Sequence, residues 1–187
     1  VWVFVFKQEN SKFLKVEFFD VGQGDSIFIE TMDKKQILID GGPDLSILEK
    51  IGREMPFYDR YIDLIILSHP EADHLNGLVE VLKRYQVGVI ITTGVIKDTE
   101  QYKNWINLIK EKNVPIYIAK SNGEIDFGNN IKMDILYPFE NLAGEKVSNT
   151  NNTSVVAQLV YNNFETLFTG DIEKSVENKL ISSGVNL

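Results

Sequence analysis

The only two histidines of the chain fall within one six-residue segment, His69-Pro-Glu-Ala-Asp-His74. Glu71 and Asp73 lie between them, so four potential metal ligands are grouped. The segment follows an apolar run typical of a buried strand and precedes a helical pattern, and the carboxyl ends of such strands often carry ligand sites. A loop at this position could direct all four side chains to one point. The segment predicts a divalent metal site, and on its own it leaves open that these are ordinary solvated or structurally paired residues.

Three aspartates add to this prediction because each follows a strand-like run and lies near glycine. Asp20 precedes a loop with two glycines that ends at Asp25, Asp40 is followed by Gly41 and Gly42, and Asp171 follows Gly170. Each arrangement alone occurs by chance. Together with the histidine segment, in this order along the chain, they indicate one site built from several strand ends.

Composition limits the classes of function. The 187 residues fit a single domain, residues 1–187, and 43% of them are apolar. The net charge of −8 argues against a broad basic face for nucleic acid, but not against a local site where bound metal supplies positive charge. The absence of cysteine excludes disulfides, thiolate ligands and a cysteine nucleophile.

The first residues read VWVFVF and are followed by Lys7. Six apolar residues are too few to span a bilayer, and the layout of a signal peptide is missing. Two interpretations of residues 1–8 stay open, a first β-strand or the remnant of a preceding transmembrane helix.

The hydrophobic pattern predicts an α+β fold in which packed sheets carry helices on their outer faces. The predicted strands are Phe13–Phe19, Ser26–Glu30, Gln36–Asp40, Ile62–Leu67, Val87–Thr92, Ile116–Ala119, Glu124–Phe127, Ile131–Tyr137, Ser154–Tyr161 and Thr166–Phe168. The predicted helices begin after Asp44, cover Leu75–Tyr85 and about Thr99–Lys112, and begin again near Ile172. We interpret the stripe of Tyr102, Trp105, Ile106 and Ile109 as core packing.

Five segments together resemble the metallo-β-lactamase superfamily: DVGQGD (20–25), LIDGG (38–42), SHPEADH (68–74), NNTSVV (151–156) and FTGDIE (168–173). The chain is most similar to the C-terminal domain of ComEC-type competence proteins, from about Phe13 onward. The resemblance implies an αββα sandwich.

The resemblance also implies roles for individual residues. His69 and Glu71 would bind one metal, with Glu71 in place of the superfamily's second histidine, and Asp73 and His74 would bind a second. Asp171 would bridge the two ions, and Asp73 and Asp171 would be catalytic. The residues expected to bind substrate or orient ligands are Asp20, Asp25, Asp40, Asn152 and Ser154.

The chain departs from the superfamily in two places. Where a third histidine is usual, it has Asn151, Asn152 and Ser154, with Asn152 as a weak ligand or a substrate contact. The family also has a His-His-Gly-Ser segment after the last helix, which this chain lacks. We therefore expect a C-terminally truncated fold without its last strands and helix, and an incomplete second metal site.

The function that the resemblance implies is metal-dependent hydrolysis of DNA, single-stranded or duplex, by a nuclease domain of a DNA-uptake channel in natural transformation. The domain would lie on the extracytoplasmic face of a bacterial membrane, attached to other domains of the channel protein. Up to two divalent ions would act at the site. The oxygen-rich ligand set favours Mn²⁺, with Zn²⁺ or Mg²⁺ as alternatives.

Two other functions stay open. The first is hydrolysis of small phosphodiesters or esters by the same metal chemistry. The second is a degenerate, non-catalytic docking domain. A truncated sheet would also expose an edge strand, which predicts a homodimer through that edge.

Overall fold

Residues 13–184 are described by a computed structural model of the protein. The prediction for residues 1–8 lies outside this range. The ten strands are β1 (Lys15–Phe18), β2 (Ile27–Glu30), β3 (Gln36–Ile39), β4 (Tyr61–Leu67), β5 (Gln86–Thr92), β6 (Ile116–Ile118), β7 (Gly123–Gly128), β8 (Ile131–Tyr137), β9 (Val156–Tyr161) and β10 (Phe164–Phe168). The helices are α1 (Ser46–Glu54), α2 (Ala72–Arg84), α3 (Glu100–Lys112) and α4 (Lys174–Ser182), with a short 3₁₀ helix at Asn151–Thr153.

The strands form two sheets. The first has six strands in the order β1-β2-β3-β4-β5-β6, and the second has four in the order β10-β9-β8-β7. Strands β1 to β3 pair antiparallel, whereas β3 to β6 are parallel because α1, α2 and α3 connect them as crossovers. The second sheet is antiparallel throughout.

Apolar side chains divide the molecule into four layers. Trp105 of α3 packs with residues of α1, α2 and one face of the first sheet, which confirms the predicted core stripe. Ile37 and Ile66 pack from the other face of that sheet against Met133 and Leu159 of the second sheet. On the far face of the second sheet lies α4, through Val176 and Leu180. The predicted αββα sandwich is confirmed.

The predicted start of the second helix was wrong, and the difference matters for the site. It begins at Ala72 rather than Leu75, because the Glu71 carbonyl already accepts hydrogen bonds from the N–H groups of His74 (3.2 Å) and Leu75 (2.9 Å). Asp73 and His74 therefore lie on the first helical turn rather than in a loop.

A close approach between two glycines sets the position of this helix. The Gly41 N–H donates to the carbonyl of His74 (2.8 Å), and the Gly77 N–H donates to that of Gly42 (3.0 Å). A Cβ atom at Gly77 would lie 1.8 Å from the Gly41 oxygen. Only glycine lets the helix contact the turn after β3 at this distance.

Within residues 13–184, no helix combines the length and apolar character needed to cross a bilayer.

Candidate metal centre

Asp40 organises the site from a buried position at the end of β3. Its backbone is left-handed (φ 55°), a conformation that aspartate tolerates better than most residues, and its side chain is almost fully buried. One carboxylate oxygen accepts from the Ser68 N–H (2.8 Å) and the other from the Ser68 hydroxyl (2.5 Å). Asp40 thereby fixes the turn that begins the histidine segment.

The same carboxylate orients His74. The Nδ1 of His74 lies 2.9 Å from Asp40 Oδ2, so Nδ1 carries a proton and donates it. In the neutral ring the lone pair is then on Nε2. A carboxylate behind a histidine in this way commonly fixes the tautomer of a metal ligand.

His69 is held in the matching orientation by two serines. Its Nδ1 lies 3.0 Å from the Ser68 hydroxyl and 3.2 Å from that of Ser154. Ser68 donates its proton to Asp40, and Ser154 donates to the carbonyl of Asn151 (2.7 Å), so both oxygens face His69 as acceptors. His69 therefore carries its proton on Nδ1, which leaves the lone pair on Nε2.

The two free imidazole nitrogens meet at one point with a carboxylate. His69 and His74 are both fully buried, and neither Nε2 has a hydrogen-bond partner among the described residues. Their ring centroids are 4.2 Å apart, and ligand atoms of His69, His74 and Asp171 all lie within 4.8 Å of one another. Asp171 is placed by its N–H, which donates to the Ser154 hydroxyl (3.2 Å).

The charges around the site favour a cation. Burial disfavours the imidazolium of His74, but the hydrogen bond and charge of Asp40, with other nearby carboxylates, outweigh burial and raise the pKa of His74 to about 9. Burial lowers the pKa of His69, with His74 acting in the same direction. Burial, with the surrounding carboxylates, raises the pKa of Asp25.

Asp73, Asp25 and Asp20 have different surroundings in the structure. Asp73 Oδ1 is 4.0 Å from His74 Nε2, and the Asp73 side chain is partly exposed. Asp25 shares a cluster with His74 and Asp40, in which ligand atoms lie within 4.8 Å of one another. Asp20 instead accepts from the N–H of Gly22 (3.3 Å) within its own loop.

Glu71 is directed elsewhere. One of its carboxylate oxygens accepts a hydrogen bond from the Thr150 hydroxyl, and the other forms an ion pair with Lys97. Burial opposes ionisation of Glu71, but these two partners lower its pKa. Its expected role as a metal ligand stays a prediction, and among the described residues Glu71 belongs to neither cluster that could hold a metal.

Asn152 also has other partners. Its amide nitrogen donates to Glu173 (2.8 Å), and its amide oxygen accepts from the Glu173 N–H (2.9 Å) at the start of α4. Both polar atoms of its side chain are therefore used in joining the loop to α4.

Sequence reasoning missed the contacts of Lys97 and Thr150 with Glu71. Lys97 lies 26 positions after Glu71, with no motif around it that indicates a site. Thr150 lies 79 positions after Glu71 and directly before the NNTSVV segment, but nothing in that segment indicates a contact with Glu71. Only the packing of their loops brings them there.

The donors fit a divalent metal. Two orphaned imidazole nitrogens and a carboxylate converge, and the second nitrogen of each ring has its own hydrogen-bond partner, as metal-bound histidines usually do. Two nitrogens and several carboxylate oxygens form a set that Mn²⁺, Zn²⁺ or Fe²⁺ accepts.

Comparison with known proteins agrees with this fold. The structure of CmlA, described as a diiron β-hydroxylase from Streptomyces venezuelae, has a TM-score of 0.54 at 16% identity over 91% of this chain and 32% of that one. The metallo-β-lactamase fold protein YhfI from Bacillus subtilis has a TM-score of 0.51 at 16% identity over 81% of this chain and 57% of that one.

A curated relative and a family model match the sequence itself. ComE operon protein 3 of Bacillus subtilis (strain 168) is 25% identical over 92% of this chain, which spans only 24% of that protein. The model of the β-lactamase superfamily domain matches residues 35–180, which include the histidine segment and Asp171. The chain therefore belongs to the β-lactamase superfamily, as a metallo-β-lactamase-like domain.

Proposed function

We propose that this domain is a metal-dependent phosphodiesterase that cleaves DNA as part of a ComEC-type DNA-uptake channel. The observation that carries the metal dependence is the convergence of His69 Nε2 and His74 Nε2, both buried and unpartnered among the described residues, with the Asp171 carboxylate. The similarity to ComE operon protein 3 over nearly the whole chain supports the DNA-uptake role.

The residues of the chain would act as follows. His69, His74 and Asp171 would hold a divalent ion, and up to two such ions are expected in the centre. A bound ion would supply Lewis acidity for attack on a phosphodiester. Asp40 and Ser68 keep the imidazoles in the tautomers that expose Nε2. Asp73 is the partly exposed carboxylate beside His74 and would act as the general base that accepts a proton from the attacking water.

The charge of the domain makes this metal necessary for DNA binding. The protein carries a net charge of −8, and Asp25, Asp73 and Asp171 lie around the site. Without a cation these carboxylates would repel a phosphodiester. The carboxylate-rich environment favours Mn²⁺ as the working ion over Zn²⁺, and activity with Zn²⁺ alone would contradict that choice.

The channel context extends the proposal to location and partners. The domain would lie on the extracytoplasmic face of a bacterial membrane, joined to the other domains of the channel protein. These assignments depend on the ComE relative, of which this chain matches about a quarter.

Calorimetric titration with Mn²⁺, followed by cleavage assays, tests the proposal. We expect binding by the wild-type protein and by Asp44→Asn, in which the changed carboxylate lies outside the site, but strongly weakened binding by Asp171→Asn. With Mn²⁺ bound, single-stranded or duplex DNA should be cleaved, and Asp73→Asn should slow cleavage by about 100-fold or more.

Other results would favour the alternatives. Turnover of a chromogenic ester or of bis(p-nitrophenyl) phosphate without cleavage of DNA would indicate a small-molecule hydrolase. Metal binding without turnover of any of these substrates would indicate a docking domain. Absence of metal binding by the folded protein would overturn the metal dependence itself.

A further inference from the structure

The Lys97 ammonium group contacts Glu71, beside the metal centre, from the loop after β5. Its Nζ forms an ion pair with one oxygen of Glu71, and Thr150 donates a hydrogen bond to the other oxygen. Glu71 is the N-cap residue of α2 and lies between the two histidines in the chain. Its charge also acts on His69. The carboxylate therefore has a cation and a hydroxyl donor as partners on the side of the site next to His69.

The loop that carries Lys97 is anchored rather than free. The Ile96 N–H donates to the carbonyl of Glu145 (2.8 Å), and the Gly144 N–H donates to that of Gly94 (2.9 Å). Thr150 is buried, and its carbonyl accepts from the hydroxyl of Thr153 (2.6 Å). Both partners of Glu71 are thus supported by their own contacts.

We propose that Lys97 acts as an internal cation that neutralises Glu71 and limits the centre to one divalent ion, held by His69, His74 and Asp171. This inference rests on the metal centre of the proposed function. A metal bound to Glu71 would have to displace the Lys97 ammonium group or lie next to it. Two cations in adjacent positions repel each other.

The remaining donors are consistent with a single ion. Ligand atoms of His69, His74 and Asp171 lie within 4.8 Å of one another, and the two imidazole Nε2 atoms have no other hydrogen-bond partner among the described residues. In the neighbouring cluster of Asp25, Asp40 and His74, the oxygens of Asp40 already accept from Ser68 and His74. That cluster is therefore a hydrogen-bonded network that supports the single ion.

The number of bound ions tests the inference independently of activity. The measurements are Mn²⁺ titration by calorimetry and elemental analysis of the folded protein after removal of free metal. We expect one ion per chain in the wild-type protein and a second, weaker ion in Lys97→Met, which keeps the apolar stem of the side chain but removes its charge. Electron paramagnetic resonance should then detect coupled Mn²⁺ pairs in Lys97→Met alone.

Three further variants separate the charge of Lys97 from other effects. Lys97→Arg keeps the positive charge and should bind one ion. Lys103→Met removes a lysine that pairs with the exposed Asp98 and should also bind one. The double variant Lys97→Met/Glu71→Gln should lose the second ion again, because the carboxylate that would bind it is gone.

Each alternative result is decisive. Two ions in the wild-type protein would overturn the inference and leave the proposed metal-dependent function intact. One ion of unchanged affinity in Lys97→Met, with an unchanged circular dichroism spectrum, would also overturn it. No ion in the wild-type protein would overturn the inference and the proposed function together.

Discussion

At the scale of single residues, the site depends most on Asp40, which is almost fully buried and orients other groups of the site. Its two oxygens accept three hydrogen bonds, from the Ser68 N–H, the Ser68 hydroxyl and His74. It thus couples the turn before α2 to the orientation of a metal ligand. A residue of this kind contributes to stability and to metal affinity through the same contacts.

The variant Asp40→Asn tests this coupling. Asparagine tolerates the left-handed backbone, but its amide replaces one acceptor oxygen with a donor, so a buried donor of Ser68 or His74 loses its partner. We expect a loss of about 1–3 kcal/mol in the free energy of unfolding, measured by urea denaturation. Metal affinity should fall by about 10–100-fold, measured by calorimetry.

Asp44→Asn is the matched control. The Asp44 carboxylate is exposed and accepts from the Ser46 N–H (2.8 Å), a contact that the asparagine oxygen can also make. Asp44→Asn should change neither the free energy of unfolding nor the metal affinity measurably. Equal effects of both substitutions would contradict the role of Asp40.

The residue types at the site could be predicted from the sequence, but their pairing could not. His69, His74, Asp40 and Asp171 stand out because histidine is rare in this chain and each aspartate ends a strand beside glycine. The Lys97 contact has no such signal, since lysine is common and its loop is placed by hydrogen bonds to residues near 145. Tertiary packing alone determines this pair.

At the scale of secondary-structure elements, α2 is the element whose position decides whether the ligands meet. Asp73 and His74 lie on its first turn, and its contact with the turn after β3 passes through Gly41 and Gly77. A helix that packs at this distance cannot carry a side chain at the contact. Displacement of α2 would separate His74 from Asp40 and from Asp171.

Substitution of Gly77 by alanine tests this packing. The intrinsic helix preference of alanine and its packing against Gly41 have opposite effects on stability. Alanine stabilises an exposed helix interior by about 1 kcal/mol relative to glycine. A Cβ at Gly77, however, would lie 1.8 Å from the Gly41 oxygen. We expect Gly77→Ala to lower the free energy of unfolding by about 1–3 kcal/mol or more and to weaken metal binding.

Gly52→Ala, in α1, is the control, and we expect it to raise the free energy of unfolding rather than lower it. Gly52 is exposed, and a Cβ atom added there would meet no heavy atom within 4 Å, so the helix preference acts alone. Chemical denaturation should show a gain of about 0.5–1 kcal/mol. Stabilisation by Gly77→Ala would mean that α2 does not need this close approach.

The sequence predicted all four α-helices of the described part of the chain, but not the helix boundary that matters for the chemistry. Apolar spacing identifies the buried face of α2, whereas its first turn has exposed and ligand residues without apolar periodicity. The start at Ala72 depends on the Glu71 carbonyl, a backbone feature without a sequence signature. The same holds for β9, which was predicted from Ser154 and begins at Val156 after the 3₁₀ turn.

At the scale of the whole molecule, the metal is expected to stabilise the fold. The centre joins α2, the end of β4 and the segment after β10, which lie far apart in the sequence. A ligand that binds only the folded state at about 100 times its dissociation constant adds about 2.7 kcal/mol. For a domain of this size that corresponds to a rise of roughly 5–10 °C in the melting temperature.

Thermal denaturation with and without Mn²⁺ measures this effect. A chelator should reverse the rise in melting temperature, and Asp171→Asn should abolish it while leaving the metal-free protein folded. A melting temperature that Mn²⁺ leaves unchanged at saturating concentration would mean that the centre does not bind the ion in the folded state.

The edge of the six-stranded sheet bears on how the whole molecule associates. Strand β6 has three apolar residues, all exposed: Ile116 (42%), Tyr117 (65%) and Ile118 (38%). Beside it, a cavity of about 680 Å³ between the two sheets is lined mainly by apolar side chains. Among residues 13–184, β6 is the last strand of its sheet. An apolar edge that no strand covers promotes pairing with another chain.

We therefore expect the isolated domain to form concentration-dependent dimers through β6. A lysine on an edge strand opposes such pairing, and Tyr117→Lys should shift the dimer towards monomer in sedimentation equilibrium. Glu177→Lys, which introduces the same residue at an exposed position of α4, far from β6 in the fold, is the control. Dimers that persist in Tyr117→Lys would place the contact elsewhere on the molecule, and a monomer at all concentrations would show that this edge does not pair in solution.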